Sequence, residues 1–283
     1  GTKKSLSSVT YGNNQFIAVG DYGTILTSPD GIIWAERSSG TKWSLYSVTY
    51  GNKQFIVVGS NGTILTSTDG VIWTERNAGI TQNLCSVTYG NNKFIAVCQN
   101  DIILTSPDGA TWTERSYGTT TELLAWFPWT VAYCKNQFIA VGCEGQILTS
   151  PDGESWTKRP SGTKCHLHSV TYGNNQFIVT GYYGTVLTSP DGATWTERSF
   201  YTINDLFSVT SGNNQFIVVG SYGTILTSPD GATWTERSSG TTTWFESVTY
   251  GNNQFIAVGR DATILSSKAD ATTSIITGNL DGK

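Results

Sequence analysis

Methionine is absent from this sequence, and charged residues are scarce. Among 283 residues, 13% carry charged side chains, only two are histidine, and the formal net charge is −4. A nucleic-acid-binding surface is usually strongly basic, so this composition argues against a nucleic-acid partner. Because methionine is missing even at position 1, we expect Gly1 not to be the first residue translated. A cleaved export signal is compatible with this start, and the sequence leaves the cellular compartment open.

Long apolar runs and helical periodicity are also missing. No run approaches the roughly 18 apolar residues of a membrane-spanning helix, so we predict no membrane span. The polar fraction consists of Ser, Thr, Asn and Gly, with 31 glycines, as expected for a chain of many short strands and turns.

One seven-residue sequence motif occurs six times along the chain, and we call it the repeated phrase. Its pattern is Ser-x-Asp-Gly-x-x-Trp, and successive aspartates lie 39 residues apart except for one step of 44. A period of about 40 residues is typical of propellers and solenoids. The repeated residues are Asp30, Asp69, Asp108, Asp152, Asp191 and Asp230, with Trp34, Trp73, Trp112, Trp156, Trp195 and Trp234.

Each unit of the repeat predicts four short strands. In the sixth unit, an apolar run at 215–219 follows a Gly-Asn-Asn turn, and an alternating charged strand ends the unit. Asparagine turns suit tight hairpins, and a run that is apolar on both faces fits a strand covered by two neighbouring sheets. The sequence therefore predicts an all-β, seven-bladed β-propeller with four antiparallel strands per blade. We expect residues 1–283 to form this single domain as a monomer.

The last unit, 247–277, is degenerate, which leaves the closure of the ring open. It carries Ala269, Asp270 and Thr273 where the other units have the Asp, Gly and Trp of the phrase. Residues 274–277 can supply its fourth strand, and we favour this alternative. In the other alternative, sequence that precedes Gly1 supplies that strand, because the chain begins like the end of a Ser-Ser-Gly-Thr linker.

The repeated phrase resembles the Asp-box, also called the BNR repeat, of sialidase-type propellers. An aspartate in a tight turn accepts backbone N–H bonds, and the glycine supplies a conformation that side chains disfavour. The tryptophan then fills the gap between adjacent blades. We interpret the phrase as a structural staple. One carboxylate per turn is too few for calcium, which takes about six to eight oxygens, so we predict no metal site there.

A longer phrase, Gly-Thr-Ile-Leu-Thr-Ser-Pro-Asp-Gly-Ala-Thr-Trp, is similar to the repeats of photosystem II assembly and stability factors. This resemblance implies a seven-bladed propeller that binds a protein partner and is not an enzyme.

The units differ from one another at two places: the turn between the second and third strands, and the connection into the next unit. In an antiparallel blade both leave from the same end, so the variable residues share one face. Loops that drift without function become rich in Gly, Ser and Asn, yet these carry many aromatic residues, which are common in binding hot spots. An inserted loop at 122–129 predicts an exposed aromatic finger. The candidate binding residues are Tyr22, Trp43, Tyr46, Trp126, Phe127, Trp129, Glu144, His166, His168, Tyr182, Tyr183, Tyr222, Trp244 and Arg260.

Catalytic and metal-binding sites are poorly supported by the sequence. A sialidase uses three arginines, but six of the seven arginines fall in fourth strands and leave Arg260 alone on the variable face. A glycoside hydrolase needs two facing carboxylates, and no pair is singled out. His166 and His168 could share a metal from one side of a strand, but no third ligand is specified. We therefore predict no catalytic residue, no metal and no cofactor.

The five cysteines are Cys85, Cys98, Cys134, Cys143 and Cys165, and they form no C-x-x-C pattern. If the hairpin of the third unit turns at Asn91-Asn92, Cys85 lies opposite Cys98. We favour two free thiols over a bridge, because a disulfide between facing strands strains its torsion angle.

The leading functional hypothesis is a non-catalytic propeller that engages a protein partner through the variable face. The alternative is a glycan-binding lectin on the same face, because Trp and Tyr rings stack on sugars. A glycoside hydrolase is the third candidate.

Overall fold

Seven small antiparallel sheets make up the computed structural model of this protein. The structure describes residues 3–98, 102–115, 128–198, 202–268 and 276–277. Within them, 28 strands form seven sheets of four strands, and each strand pairs only with strands that are adjacent to it in sequence. The predicted all-β, seven-bladed β-propeller is confirmed. The described residues include no helix that is long and apolar enough to cross a membrane.

The first four blades contain, in chain order, β1 (Leu6–Gly12), β2 (Gln15–Gly20), β3 (Ile25–Ser28), β4 (Ala35–Arg37); β5 (Leu45–Gly51), β6 (Gln54–Gly59), β7 (Ile64–Ser67), β8 (Thr74–Arg76); β9 (Leu84–Gly90), β10 (Lys93–Cys98), β11 (Ile103–Ser106), β12 (Thr113–Arg115); and β13 (Pro128–Cys134), β14 (Gln137–Gly142), β15 (Ile147–Ser150), β16 (Thr157–Arg159). The last three contain β17 (Leu167–Gly173), β18 (Gln176–Gly181), β19 (Val186–Ser189), β20 (Thr196–Arg198); β21 (Leu206–Gly212), β22 (Gln215–Gly220), β23 (Ile225–Ser228), β24 (Thr235–Arg237); and β25 (Phe245–Gly251), β26 (Gln254–Gly259), β27 (Ile264–Lys268), β28 (Ile276–Thr277).

The first strands of the blades form the inner ring, in which β1 contacts both β5 and β25. Serine hydroxyls tie neighbouring first strands together. The backbone N–H of Val48 donates to Ser8 Oγ, and that of Val9 donates to Ser247 Oγ, each at 3.3 Å. The second of these bonds joins the seventh blade to the first, so the inner strands close the ring.

Asparagine pairs form five of the seven tight hairpin turns, and Asn52-Lys53 and Lys135-Asn136 form the other two. Asn13 and Asn14, between β1 and β2, have φ angles of 46° and 58°. Both lie in the left-handed region that a type I′ hairpin turn requires and that asparagine tolerates. The same pair of positive φ angles recurs in the first hairpin of every blade.

The hydrophobic core consists of seven apolar layers, one between each pair of blades. One layer combines Ile17 and Val19 from the first blade with Phe55 and Val57 from the second, and all four are fully buried. The second strands therefore bury both faces, as their continuous apolar runs predicted.

The repeated phrase forms a compact turn after each third strand. In the first blade, Asp30 Oδ1 accepts the N–H groups of Ile32 and Ile33 at 2.9 Å each. Gly31 has a φ of 75°, and a Cβ there would lie 2.6 Å from Ile256 Cδ1 of the preceding blade. The position therefore requires glycine both for its conformation and for the close approach. We call this feature the aspartate turn.

The fourth strand of the seventh blade is β28, which pairs with β27. It lies within the stretch 274–277 that the favoured closure alternative specified.

The predicted opposition of Cys85 and Cys98 is wrong. The hairpin does turn at Asn91-Asn92, but the register of β9 shifts by one residue, so Cys98 pairs with Leu84. Cys85 is the extra residue of this β-bulge, and its thiol is free. In a regular hairpin, residues equally distant from the turn face each other. The bulge breaks this pairing because it places two residues of one strand opposite one residue of the other.

Candidate functional site

The two variable connections lie side by side at one end of the blades. In the fifth blade, the N–H of Tyr182 in the turn between β18 and β19 donates to the carbonyl of His166 at 2.9 Å. In the seventh, Arg260 N–H donates to the carbonyl of Trp244 at 3.0 Å. We call this end the variable face. The aspartate turns lie at the other end, where Gln15 Nε2 at the start of β2 donates to the Asp69 carbonyl of the next blade at 2.8 Å.

The turns between second and third strands hold their tips in a strained conformation. In the six blades where these turns are described, the tip residue has a φ between 47° and 55°. Three tips are tyrosines, Tyr22, Tyr183 and Tyr222, with exposed fractions of 70%, 73% and 64%. A bulky residue rarely adopts a positive φ, and such strain is concentrated at functional sites. The three tyrosine rings therefore project into solvent from residues whose backbone conformation is energetically unfavourable.

A β-bulge interrupts every first strand at the same point. The residue before it is leucine in five blades, and the residue after it is serine in six. The bulge residue itself is different in all seven blades: Ser7, Tyr46, Cys85, Trp129, His168, Phe207 and Glu246. Bulges re-aim side chains next to functional sites. We call this set the bulge residues.

Aromatic side chains of blades five to seven form a continuous series on the variable face. The ring centroids of Tyr182 and His168 are 4.4 Å apart, and His168 lies 5.3 Å from Phe207. Phe207 lies 5.6 Å from Trp244, which lies 5.7 Å from Tyr222. We call these five residues the aromatic arc. Since it crosses two blade boundaries, no single repeat contains it.

Arg260 ends the arc. Its guanidinium carbon lies 3.8 Å from the ring centroid of Trp244, and its Nε donates to Glu246 Oε1 at 3.1 Å. This geometry is a cation–π contact supported by an ion pair. The pair is partly exposed, so its contribution to stability is small.

The other six arginines lie on the outer strands. Each donates from Nε to a threonine hydroxyl of the adjacent third strand at 2.9–3.2 Å. No arginine triad can therefore form around Arg260, as the sequence indicated.

The centre of the arc is uncharged near neutral pH. Burial, together with the neighbouring His166, lowers the pKa of His168 to about 3. Burial is also the largest cause that raises the pKa of Tyr182, followed by the negative charge of Asp205. A neutral imidazole between aromatic rings provides an apolar surface and not a cationic one.

Side chains two positions before the bulge residues hold the turn tips of the preceding blade. His166 Nδ1 accepts the N–H of Glu144 at 3.2 Å. Asn83 and Asp205 accept the N–H groups of Asn61 and Tyr183 through their side-chain oxygens. His166 therefore has a positioning role in addition to its ring contact with Tyr182.

The structure joins seven of the predicted binding residues in or beside the arc: His166, His168, Tyr182, Tyr183, Tyr222, Trp244 and Arg260. The tip residue Glu144 is tied to His166. Tyr22, Trp43 and Tyr46 lie on the first two blades, where Ser60 Oγ donates to Tyr46 Oη at 2.7 Å. Trp126 and Phe127, which form most of the predicted aromatic finger, lie outside the described residues, as does the side chain of Trp129.

Phe207 and Glu246 were missed in the sequence. Both sit at the bulge position and contact Trp244 and Arg260 respectively. Comparison of equivalent positions could have found them, because this is the one strand position at which all seven repeats differ.

Comparison with known proteins identifies the fold of this chain and assigns it to no family. No protein-family model matches the sequence, and no curated protein matches it. Among solved structures, YCF48 bound to D1 peptide has a TM-score of 0.77 and 16% identity, covering 95% of this chain and 93% of that one. This chain is a seven-bladed β-propeller. YCF48 from Cyanidioschyzon merolae has a TM-score of 0.75 and 17% identity, covering 94% and 96% of the two chains. A catalytically inactive virginiamycin B lyase from Staphylococcus aureus with quinupristin has a TM-score of 0.84 and 12% identity, covering 93% and 94%. At such identities the likeness of this propeller to each of them concerns the fold alone.

Proposed function

We propose that this propeller is a non-catalytic binding protein that holds a peptide segment of a protein partner on its variable face. The aromatic arc is the centre of the site, and the exposed tips Tyr183 and Tyr222 extend it. The observation that carries the proposal is the arc itself: five rings from three blades in one continuous series.

The chemistry of the arc fits a protein partner. Aromatic residues bury large areas with few rotatable bonds, and they dominate binding hot spots. The two ends of the site supply directional contacts, since the tips carry tyrosine hydroxyls and Arg260 carries a partly exposed guanidinium. Most of the bulge residues are aromatic or polar, whereas the strands around them repeat almost unchanged. This contrast indicates a rigid scaffold with a diversified surface.

Two carboxylates of the variable face have structural partners in place of the acid–base arrangement that a hydrolase requires. Asp205 Oδ1 accepts the N–H of Tyr183, and Glu246 pairs with Arg260. Neither is poised opposite a second carboxylate as an acid–base pair. The YCF48 structure with a bound D1 peptide supports the proposal at the level of the fold, since it is a propeller that takes a peptide. We further infer that the aspartate turns are Asp-box staples and lie outside the binding site.

Selection of a random peptide library on the full chain tests the proposal. We expect selected peptides to lose about tenfold or more in affinity when Trp244 and Phe207 are both changed to Ala, measured by fluorescence anisotropy. The matched control changes Ile33 and Ile72 to Ala, because these exposed aliphatic residues lie on the aspartate-turn face. Wild-type affinity in the arc variant, or an equal loss in the control, would contradict the proposal.

A glycan-binding lectin is the second candidate. The observation that favours it is the exposure of single rings away from the arc, at Tyr22 and at Trp43 beside Lys42. A glycan array separates the two functions. Sugar-dependent binding that is lost in a Tyr22→Ala, Trp43→Ala variant and kept in the arc variant supports the lectin.

A further inference from the structure

A groove runs along the fourth blade between its turn tip and the connection that leads into the fifth blade. It has a volume of about 460 Å³, and its lining includes the tip residue Glu144 and the segment 158–164. Ser161 shapes the connection, because its Oγ donates to the Thr163 carbonyl at 3.1 Å and accepts the Thr163 N–H at 3.3 Å. A Cβ on Gly162 would meet no other atom. The wall is therefore held by hydrogen bonds, and its rim is open.

The sixth blade has an equivalent groove of about 580 Å³. Its wall is built in the same way, since Ser239 Oγ donates to the Thr241 carbonyl at 2.9 Å and accepts the Thr241 N–H at 3.4 Å. The lining residues of the two grooves lie entirely within the described ranges 128–198 and 202–268. The groove is therefore a feature of the repeat, and the residues that differ between the two copies indicate what each copy can bind.

The two grooves differ in charge. The fourth-blade groove is lined by three basic side chains, Lys158, Arg159 and Lys164, and by the carboxylate of Glu144, so its formal charge is +2. The sixth-blade groove is lined by one arginine and one glutamate and is formally neutral. Since the whole chain has a formal charge of −4, the fourth-blade groove is a local exception to the charge of the protein.

Lys158 is the residue that makes the difference. Five other blades carry glutamate at this position of the fourth strand. In the described part of the chain, none of the three basic side chains of the groove forms an ion pair. Arg159 donates from Nε to Thr149 Oγ1 at 2.9 Å, which fixes its guanidinium. A guanidinium held in this way is suited to a carboxylate, because arginine binds carboxylates through paired N–H donors.

We propose that the fourth-blade groove binds acidic side chains of the same partner segment whose apolar residues occupy the aromatic arc. This inference rests on the proposed function of the arc and adds the charge of its partner. The groove adjoins the arc, because the Glu144 N–H donates to His166 Nδ1 at 3.2 Å and the His166 ring lies 5.3 Å from that of Tyr182. A segment that passes Tyr182 can therefore continue into the groove.

The physical basis is charge complementarity. Ion pairs at a protein surface are individually weak, and salt screens them. Complementary charges around an interface contribute more to partner choice and to the association rate than to affinity. The fourth-blade groove therefore selects acidic segments, while the rings of the arc supply most of the buried area.

An NMR titration of the full chain with acetyl-Glu-Glu-Glu-amide tests the groove separately from the arc, with acetyl-Gln-Gln-Gln-amide as the uncharged control. We expect the glutamate peptide to shift the amide signal of Gly162 and the glutamine peptide to leave it unchanged. Lys158→Glu restores the residue of five other blades, so it should fold normally, and it should raise the dissociation constant about threefold or more. The arc variant Phe207→Ala, Trp244→Ala should respond at Gly162 like wild type.

The reciprocal variant is Glu36→Lys in the first blade. That blade has Arg37 and Lys42 at the positions of the second and third basic residues, so the change completes the same set of three. It should add a second site for the glutamate peptide, observed at the amide of Gly40. The assignment to the three basic residues is overturned if no such site forms.

Peptide selection tests the connection between groove and arc. Peptides selected from a random library on wild type should contain more Asp and Glu than those selected on Lys158→Glu. Equal acidic content overturns the proposal and leaves the proposed function of the arc intact. The proposal is also overturned if Gly162 does not respond, if both peptides shift it equally, or if Lys158→Glu binds like wild type. If no selected peptide depends on the arc, the proposed function fails, and the response at Gly162 still decides whether the groove binds carboxylates.

Discussion

The backbone N–H of Tyr183 donates to Asp205 Oδ1 at 3.1 Å, and this bond ties the strained turn tip of the fifth blade to the sixth. Within the turn, the N–H of Thr185 donates to the carbonyl of Tyr182. The N–H of the tip residue Tyr183 takes no part in that bond and donates to the neighbouring blade instead. The bond between Asn61 and Asn83, also 22 residues apart, repeats this arrangement at 3.0 Å. Part of the variation on the variable face therefore serves to position the tips.

Removal of the acceptor should loosen one tip without unfolding the propeller. We expect Asp205→Ala to lower the free energy of unfolding by about 0.5–1.5 kcal/mol, the net worth of one hydrogen bond. Asp205→Asn should cost less, because its amide oxygen can accept the same N–H, as Asn83 does. Urea denaturation measures both, and amide exchange at Tyr183 should accelerate only in the alanine variant. Equal exchange rates in the two variants would contradict this role.

Replacement of an exposed tyrosine at a turn tip should stabilise the protein. Tyr22 has a φ of 54° and Asn61 occupies the same position of the next blade at 55°. Asparagine tolerates the left-handed region, so Tyr22→Asn should raise the free energy of unfolding by about 0.5–1 kcal/mol.

The reciprocal change is the control for that prediction. Asn61→Tyr should lower stability by a similar amount in the same urea titration. If both substitutions shift stability in the same direction, tip strain is not the cause.

The tryptophans of the aspartate turns should each be important for stability. Trp156 is the most buried of them, with 8% exposed, and packs in the layer between the third and fourth blades. We expect Trp156→Ala to cost about 3–5 kcal/mol, because it removes a large ring and leaves a cavity.

Ser155→Ala is the matched control for Trp156. Its hydroxyl is exposed, and its backbone N–H still donates to Asp152 Oδ1. This change should stay within about 0.5 kcal/mol of wild type in chemical denaturation. A comparable loss in both variants would argue against the tryptophan as the staple.

Acid should weaken the aspartate turns within a defined pH window. The backbone N–H of Thr194 holds the pKa of Asp191 at about 2, and that of Thr233 does the same for Asp230. An unfolded aspartate has a pKa of about 3.9, so these carboxylates favour the folded state above about pH 4. That contribution is lost as pH falls toward 2.

Thermal melts between pH 5 and pH 2, followed by circular dichroism, test this linkage. We expect the melting temperature of wild type to fall across the window. The double variant Asp191→Asn, Asp230→Asn should begin lower at pH 5 and fall less steeply, since two of the titrating groups are gone. An unchanged slope would show that other groups govern acid unfolding.

The periodic sequence was sufficient to predict the blades, the hairpins and the position of the variable face. Asn91-Asn92 turns where expected, and the aspartate turns lie at the opposite end from Tyr183 and Tyr222. Local sequence did not reveal the bulges, because a bulge changes register without a distinctive residue. Cys85 was therefore paired with the wrong residue, and Phe207 was not recognised as a candidate binding residue. The arc was beyond prediction because it depends on which side chains meet across blade boundaries.

The sequence by itself determined the architecture, since a 39-residue period with four short strands per unit and two-sided apolar strands buries its surface by stacking like sheets, and seven such sheets form a propeller. It also determined which face varies, because the direction of each strand follows from its place in the unit. Only the tertiary structure decided that His168, Phe207 and Trp244, which lie 39 and 37 residues apart in sequence, form one surface. The physical reason is that contacts between blades depend on bulge geometry and on the packing of neighbours, and neither is written in any single repeat.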